Sequence, residues 1–305
     1  MSTGTDPLAP LAQLPGVPDA VAEVRKAVDR LYGHRVMRRR AAEVTSESAL
    51  RGARASAALA GADWPLEEVR RRSDFGVDPE ARTVGAALRI AAEAGQLLSV
   101  WRHSPLQVLA RLHLLAVGDA DPAAGRPRQA GEAADDLFPL ALKPVEGVAA
   151  DRGPVAPAGA TADGPVPELP AAPGPEEVAA RLDQLSRLLV ARAEGQGVGT
   201  PALVVASVVH GELLALRPFG AYNGLIARAA QRIVLIAEGL DPKSICPAEV
   251  GLVELGTDAY RRALAGYLAG TPEGLGAWIG HCGRALRLGV RESTAVCEAM
   301  QRGMV

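Results

Sequence analysis

The sequence predicts an all-α protein. Apolar residues recur at helical spacing in one segment after another, and Pro or Gly stands at most of the segment ends. Only one long stretch breaks this pattern, and no repeat of fixed period appears along the 305 residues. Aromatic residues make up 3% of a chain that is 48% hydrophobic, so Leu, Val and Ala must fill the core. A chain this long can bury a sizeable one.

The Pro-rich start, with Pro7, Pro10 and Pro15, reads as a disordered tail over residues 1–17. From Pro18 to Leu31, Val21, Val24, Val28 and Leu31 form one stripe of an amphipathic helix. An Ala- and Arg-rich helix follows over Met37 to Leu59 and ends near Gly61. Pro79 opens another, carrying Val84, Leu88 and Ala91, and Pro105 to Val117 forms a further one stopped by Gly118. Residues 18–143 thus read as an N-terminal helical region. From Lys143 the character changes: Pro144, Pro154, Pro157, Pro165, Pro167, Pro170, Pro173 and Pro175 punctuate a Gly- and Ala-rich stretch. That density removes backbone donors and fixes φ, so residues 144–175 are predicted to be an irregular loop. Helices resume at Glu176 to Ala193, with Val178, Leu182, Leu185, Leu188 and Leu189 on one face. They continue through Thr200 to Leu216, Gly224 to Glu238, Gly256 to Ala269 and Leu275 to Leu288, making 176–305 the core and C-terminal unit.

A formal net charge of −2 argues against a dominant nucleic-acid or membrane-surface role. Lysine is confined to Lys26, Lys143 and Lys243 while arginine is abundant. With so much Ala and Gly, this reads as GC-rich bacterial coding rather than as arginine-based recognition. Cys246, Cys282 and Cys297 share no metal-ligand spacing and read as reduced thiols. No signal peptide is visible, and the longest apolar run, Pro201 to Val209, is too short to span a bilayer; a cytoplasmic protein is expected. No metal site, no G-x-S-x-G and no strand-borne G-x-G-x-x-G is found.

The segment from His210 to Arg228, HGELLALRPFGAYNGLIAR, lies between two helices. It resembles the signature of the Fic (filamentation induced by cAMP) family, H-x-x-[FL]-x-x-I-H-P-F followed by x-[DE]-G-N-G-R-x-x-R. His210, Leu213, Leu216, Pro218, Phe219, Asn223, Gly224 and Arg228 match in register. More weakly, Val166 to Pro170, Val178 to Leu188, Tyr260 to Leu264 and Trp278 resemble family stretches on either side, for a cover of residues 20 to 290. The resemblance implies the all-α Fic (Fido) fold with an N-terminal helical extension. It also implies a family activity, transfer of AMP from ATP with Mg²⁺, in which a loop at a helix N-terminus cradles phosphate.

The departures bear on that activity. At the position of the family's general base stands Arg217, which has no lone pair to accept a proton. Ala221 replaces the acidic Mg²⁺ ligand and cannot hold a hard cation. Tyr222 replaces a loop glycine at a position expected to need φ > 0, and Leu225 replaces the first phosphate-binding arginine. Asn223, Gly224 and Arg228 remain as candidates for anion or nucleotide binding; they read first as a turn, a helix cap and an ion pair. Arg217, Tyr222 and His210 are the candidates for any altered catalysis. His210, two turns above Arg217, reads first as a packed, hydrogen-bonded helix histidine.

Two further regions follow from the resemblance. Many family members carry an inhibitory helix with the pattern [ST]-x-x-x-E-[GN], whose glutamate pairs with the last motif arginine. Ser56, Ala60 and Gly61 fit that frame with Ala60 in place of the glutamate. The family's β-hairpin flap, which captures a target by strand addition, would overlap the Pro-rich loop, where a ladder is not expected. The chain is accordingly expected to be a pseudoenzyme with the Fic fold, acting through a protein partner or a second copy of itself. The alternative is a divergent enzyme using the Fic cleft for nucleotidyl or phosphate-group transfer or other chemistry. ATP and Mg²⁺ enter only if family activity survives; no other cofactor, no metal, no nucleic acid and no membrane is expected.

Overall fold

A computed structural model describes residues 6–76, 78–118, 121–148, 165–196 and 199–304. Among them are twelve α-helices, one 3₁₀-helix and no strand, as the periodicity predicts. The helices are α1 Val17–Tyr32, α2 Met37–Leu59, α3 Leu66–Arg71, α4 Pro79–Glu93, α5 Leu98–Trp101 and α6 Pro105–Val117. After the irregular region come α7 Pro175–Ala193, α8 Ala202–Leu216, α9 Asn223–Ala237, α10 Ala248–Leu255, α11 Thr257–Ala269 and α12 Pro272–Gln301.

The core is built on α8 and α9, which pack side by side across the tight turn at 217–222. Both are buried on nearly every face: Leu203, Val204, Val205, Val209, Leu213 and Leu216 are at most 1% exposed. A helix apolar all round has to lie inside the molecule. The other helices enclose the pair, with α12 and α11 on the α8 side and α2, α4 and α6 against α9. Capping sets two of the boundaries. Asp78 Oδ1 accepts from the Ala81 amide at 2.7 Å ahead of Pro79, and Thr271 Oγ1 accepts from Gly274 at 3.1 Å ahead of Pro272.

Three expectations are corrected. The expected disordered tail over 1–17 is, from residue 6, packed on the body. Leu8 is buried, Ala9–Gln13 forms the 3₁₀-helix, and Asp6 Oδ2 accepts from Arg192 (2.9 Å) and Thr200 Oγ1 (2.6 Å); residues 1–5 lie outside the described residues. The helical region expected to reach 143 ends at Val117, and 121–148 is irregular but anchored. Of the predicted Pro/Gly loop 144–175, residues 149–164 lie outside the described residues; 165–174 is irregular, and Pro175 already opens α7. The last helix runs far past the predicted stop at Leu288 because Gly289 is a contact glycine rather than a cap. A Cβ there would sit 2.4 Å from the Pro247 carbonyl oxygen. The short helices α3, α5 and α10 fall below the length at which periodicity speaks.

Gly289 shares this seam between α10 and α12 with Gly251, whose Cβ would lie 2.0 Å from the Ala285 carbonyl oxygen. The two helices therefore touch backbone to backbone. Replacing Gly251 by Ala should destabilise the protein by about 1–3 kcal/mol through overpacking, read as a lowered urea midpoint at unchanged m-value.

Candidate functional site

The turn joining α8 to α9 begins and ends in the left-handed region: Arg217 has φ 43° and Tyr222 φ 62°. Neither is glycine, so each residue carries steric strain of roughly 1–3 kcal/mol that the surroundings must offset. Asn223 supplies much of that offset. Its Oδ1 accepts from the Phe219 amide (2.9 Å) and its Nδ2 donates to the Phe219 carbonyl (2.7 Å), closing the turn on itself. Phe219 in turn stacks on His113 of α6, with ring centroids 4.2 Å apart, while His113 Nδ1 accepts from the Gly125 amide at 3.0 Å.

The irregular segment 121–148 crosses directly over this turn. Arg128 donates from Nε to the Arg217 carbonyl (2.7 Å) and from its other nitrogens to the carbonyls of Leu216, Glu132 and Pro173. A guanidinium at the C-terminus of α8 satisfies carbonyls that the helix leaves open and complements its dipole. Seven residues on, Asp135 reaches the opposite pole, the N-terminus of α9. Its Oδ2 accepts from the Asn223 amide (3.2 Å) and its Oδ1 from Asn223 Nδ2 (2.5 Å), and the Tyr222 amide donates to it as well. Burial pushes the Asp135 carboxyl up from its ordinary value, against the opposing pull of those donors.

A cleft of about 280 Å³ opens beside this helix end, lined among others by Ala60, Asp135, Asp136, Tyr222, Leu225 and Arg228. Tyr222 and Leu225 form part of its wall and do not close it. Arg228 is 2% exposed and reaches across to α2, donating from Nε to Ser56 Oγ (2.8 Å) and from Nη2 to the Ser56 carbonyl (2.9 Å). Among the described residues it makes no ion pair, so the predicted carboxylate partner is replaced by neutral acceptors. Gly61, with φ 99°, turns the chain out of α2 and against Pro139.

The structure thus places Ala60, Tyr222, Gly224 and Arg228 on the wall of one cleft, with Ser56 bonded to Arg228 and Asn223 to Asp135 behind that wall, and leaves two candidates outside it. Arg217 does not line the cleft; its Nη2 donates to the Pro170 carbonyl at 2.6 Å. Burial and then the neighbouring Arg128 draw it down from the ordinary arginine range. His210 is wholly buried beneath the turn, its Nε2 2.6 Å from Tyr260 Oη. Burial, Arg228 and His281 hold it well below the usual histidine range, so it serves the core rather than the cleft. Sequence reasoning missed Asp135, Arg128 and His113, because each reaches the turn from a distant segment. The only local signal was an Asp-Asp pair in a Pro- and Gly-rich stretch. Among the described residues, no group of three His, Cys, Asp or Glu is close enough to hold a metal ion.

His281, also at 1% exposure, stacks on Tyr260 and Trp278 with neither ring nitrogen partnered. Burial lowers it to about 3. The sign follows from a depressed histidine: folded and unfolded forms are both neutral above pH 6.5. Below that, the unfolded chain binds the proton first and stability falls until about pH 3. At pH 5 the loss from His281 alone should be about 2 kcal/mol relative to pH 7. Comparing urea midpoints at the two pH values, with His281→Phe reducing the difference, checks this. At the turn, Asn223→Ala should cost about 1–3 kcal/mol, since it leaves the Phe219 amide and carbonyl unpaired and Asp135 short of a donor. Asn223→Asp should not restore the loss, because a carboxylate there has no donor for Phe219 and repels Asp135.

No protein-family model and no curated protein sequence matches the chain. Solved structures do. A Fic family protein from Desulfovibrio desulfuricans G20 superposes with a TM-score of 0.63 at 19% identity, over 91% of this chain and 74% of that one. Fic-1 from C. elegans, residues 134–508, gives 0.58 at 15% identity, over 93% and 73%. A Fic domain containing signaling protein from Bacteroides thetaiotaomicron VPI-5482 gives 0.59 at 13% identity, over 92% and 97%. At these identities the likeness is one of architecture, and it coincides with the motif at residues 210–228: the chain has the all-α fold of the Fic proteins.

Proposed function

We propose that this Fic-fold chain transfers no nucleotide and acts by binding a protein partner or a second copy of itself. The observation that carries the reading is the Asp135 carboxylate at the N-terminus of α9, where it accepts from the Asn223 amide and from the Asn223 side chain. That helix end is where a phosphate would be held, and the chain fills it with an anion of its own. Asp136 stands beside it on the cleft wall. Two like charges 4 Å apart repel by about 4 kcal/mol at an effective dielectric constant of 20, so a triphosphate entering the cleft meets opposition where it needs attraction.

The remaining groups support the same conclusion. Arg217 at the base position holds no lone pair and is turned onto Pro170. Ala221 offers no oxygen to Mg²⁺, both Asp135 oxygens are engaged by N–H donors, and Arg228 is committed to Ser56. These residues do not fit a magnesium–nucleotide complex. We place the protein in the cytoplasm: Cys246, Cys282 and Cys297 are free and buried, which suits a reducing compartment. Among the described residues, no helix is long and apolar enough to cross a membrane.

The test is direct. The purified protein, incubated with a tagged ATP analogue and Mg²⁺ in a lysate, should label no target and should not label itself. Excess ATP should leave its melting temperature unchanged. Robust Mg²⁺-dependent labelling, lost in Asn223→Ala, would overturn the reading and assign a divergent transferase.

A further inference from the structure

The turn between α1 and α2 carries a charge imbalance that the whole chain conceals. Residues 25–40 hold seven Lys and Arg against the single carboxylate of Asp29, whereas the full sequence holds 33 against 35. Lys26, Arg30, Arg35, Arg38 and Arg39 are exposed, and among the described residues none of them makes an ion pair. Arg40 is paired with Glu43 and donates to the Met300 carbonyl at 3.1 Å, which brings the exposed Arg302 to the border of the patch. Lys243 joins from the other side, its amide bonded to Tyr32 Oη at 2.9 Å.

α2 breaks at Arg40, with φ −123° and ψ 27°, so Arg38 and Arg39 stand on a short turn ahead of its long helical run, whose own first turn carries Glu43. The arginines ahead of the break are thus held out on the surface with no carboxylate of their own turn to pair with.

We infer that the α1–α2 turn is a docking surface for an acidic segment of a protein partner. Unpaired guanidinium groups offer forked donors that match carboxylates. Single-stranded nucleic acid also needs stacking platforms, and the two rings here, Tyr32 and His34, are both half-buried, the Tyr32 hydroxyl donating to Asp241 at 2.7 Å and His34 Nδ1 accepting from the Val36 amide at 3.3 Å. A long duplex would run onto a surface whose remaining charge is net acidic. The cations Lys26, Arg30, Arg35, Arg38 and Arg39 fall within residues 25–40 and suit a short segment. The inference rests on the proposed binding role only in taking the partner to be a protein; nucleotide labelling is read separately, so either can fail alone.

Fluorescence anisotropy with a labelled Glu-rich peptide tests it. The full chain should bind this peptide in preference to its Gln-substituted counterpart, with affinity falling as salt rises. The triple variant Arg35→Gln, Arg38→Gln, Arg39→Gln should bind about tenfold more weakly or worse. Its melting temperature should be little changed, since the three side chains are exposed and make no ion pair among the described residues. Removing the same charge elsewhere, by Arg70→Gln, Arg111→Gln and Arg187→Gln, should leave binding intact. No preference for the Glu-rich peptide, equal loss in both triple variants, or tighter binding to duplex DNA or to anionic vesicles would each overturn the inference.

Discussion

The Asn223 side chain is the contact on which the site depends. It lies 1% exposed at the first residue of α9 and holds both backbone groups of Phe219 and one oxygen of Asp135. Three elements meet in that one amide: the end of α8, the start of α9 and the crossing segment. Its two hydrogen bonds to Phe219 are buried, where an unmade bond costs most. A residue of another shape could satisfy the turn or the carboxylate, but not both.

The crossing segment extends this constraint over the rest of the molecule. Residues 121–148 have no regular structure, so their backbone groups need partners outside the segment. Those partners hold it in place. The Arg128 amide donates to the Pro218 carbonyl at 2.7 Å, Leu142 and Thr257 exchange backbone and side-chain bonds at 3.0 and 3.1 Å, and the Val145 amide donates to Glu254 at 2.9 Å. The segment therefore runs from the motif turn to α10 and α11 as a strap. It delivers a cation to the C-terminus of α8 and an anion to the N-terminus of α9, complementing both dipoles where the two helices meet. An unstructured stretch in the sequence thus becomes the element that sets the electrostatics of the cleft.

How much was legible in the sequence follows from the range of the forces involved. Helices with an apolar stripe, such as α1 and α7, are visible because their periodicity is local. The motif was visible because a resemblance fixed its register, and with it Ser56 on α2 as a neighbour of Arg228. Asp135 was not visible. Its role depends on a contact 88 residues away that no pattern within its own segment encodes. The continuation of α12 was hidden for a related reason. Gly289 and Gly251 are determined by a neighbouring backbone, while the sequence alone reads a glycine as a stop. The arginines of the α1–α2 turn were present in the composition, but that Arg40 alone of Arg35, Arg38, Arg39 and Arg40 has an ion pair among the described residues becomes apparent only in three dimensions.

Tyr222 shows how fold and chemistry separate. The family pattern has glycine there, and the backbone still takes the left-handed conformation that glycine would favour, at φ 62°. A tyrosine does not choose that region, so the geometry is imposed from outside, by the Asn223 clasp on one side and the Asp135 carboxylate on the Tyr222 amide on the other. The same carboxylate that offsets the strain lies at the N-terminus of α9, the place where a phosphate would be held. Under the proposed binding role the turn has no anion to receive, so a side chain of the protein can hold it in shape and a glycine is not required. On that proposal Arg217, Ala221, Tyr222 and Leu225 form one set, the residues that a turn tolerates when the chain itself supplies the carboxylate.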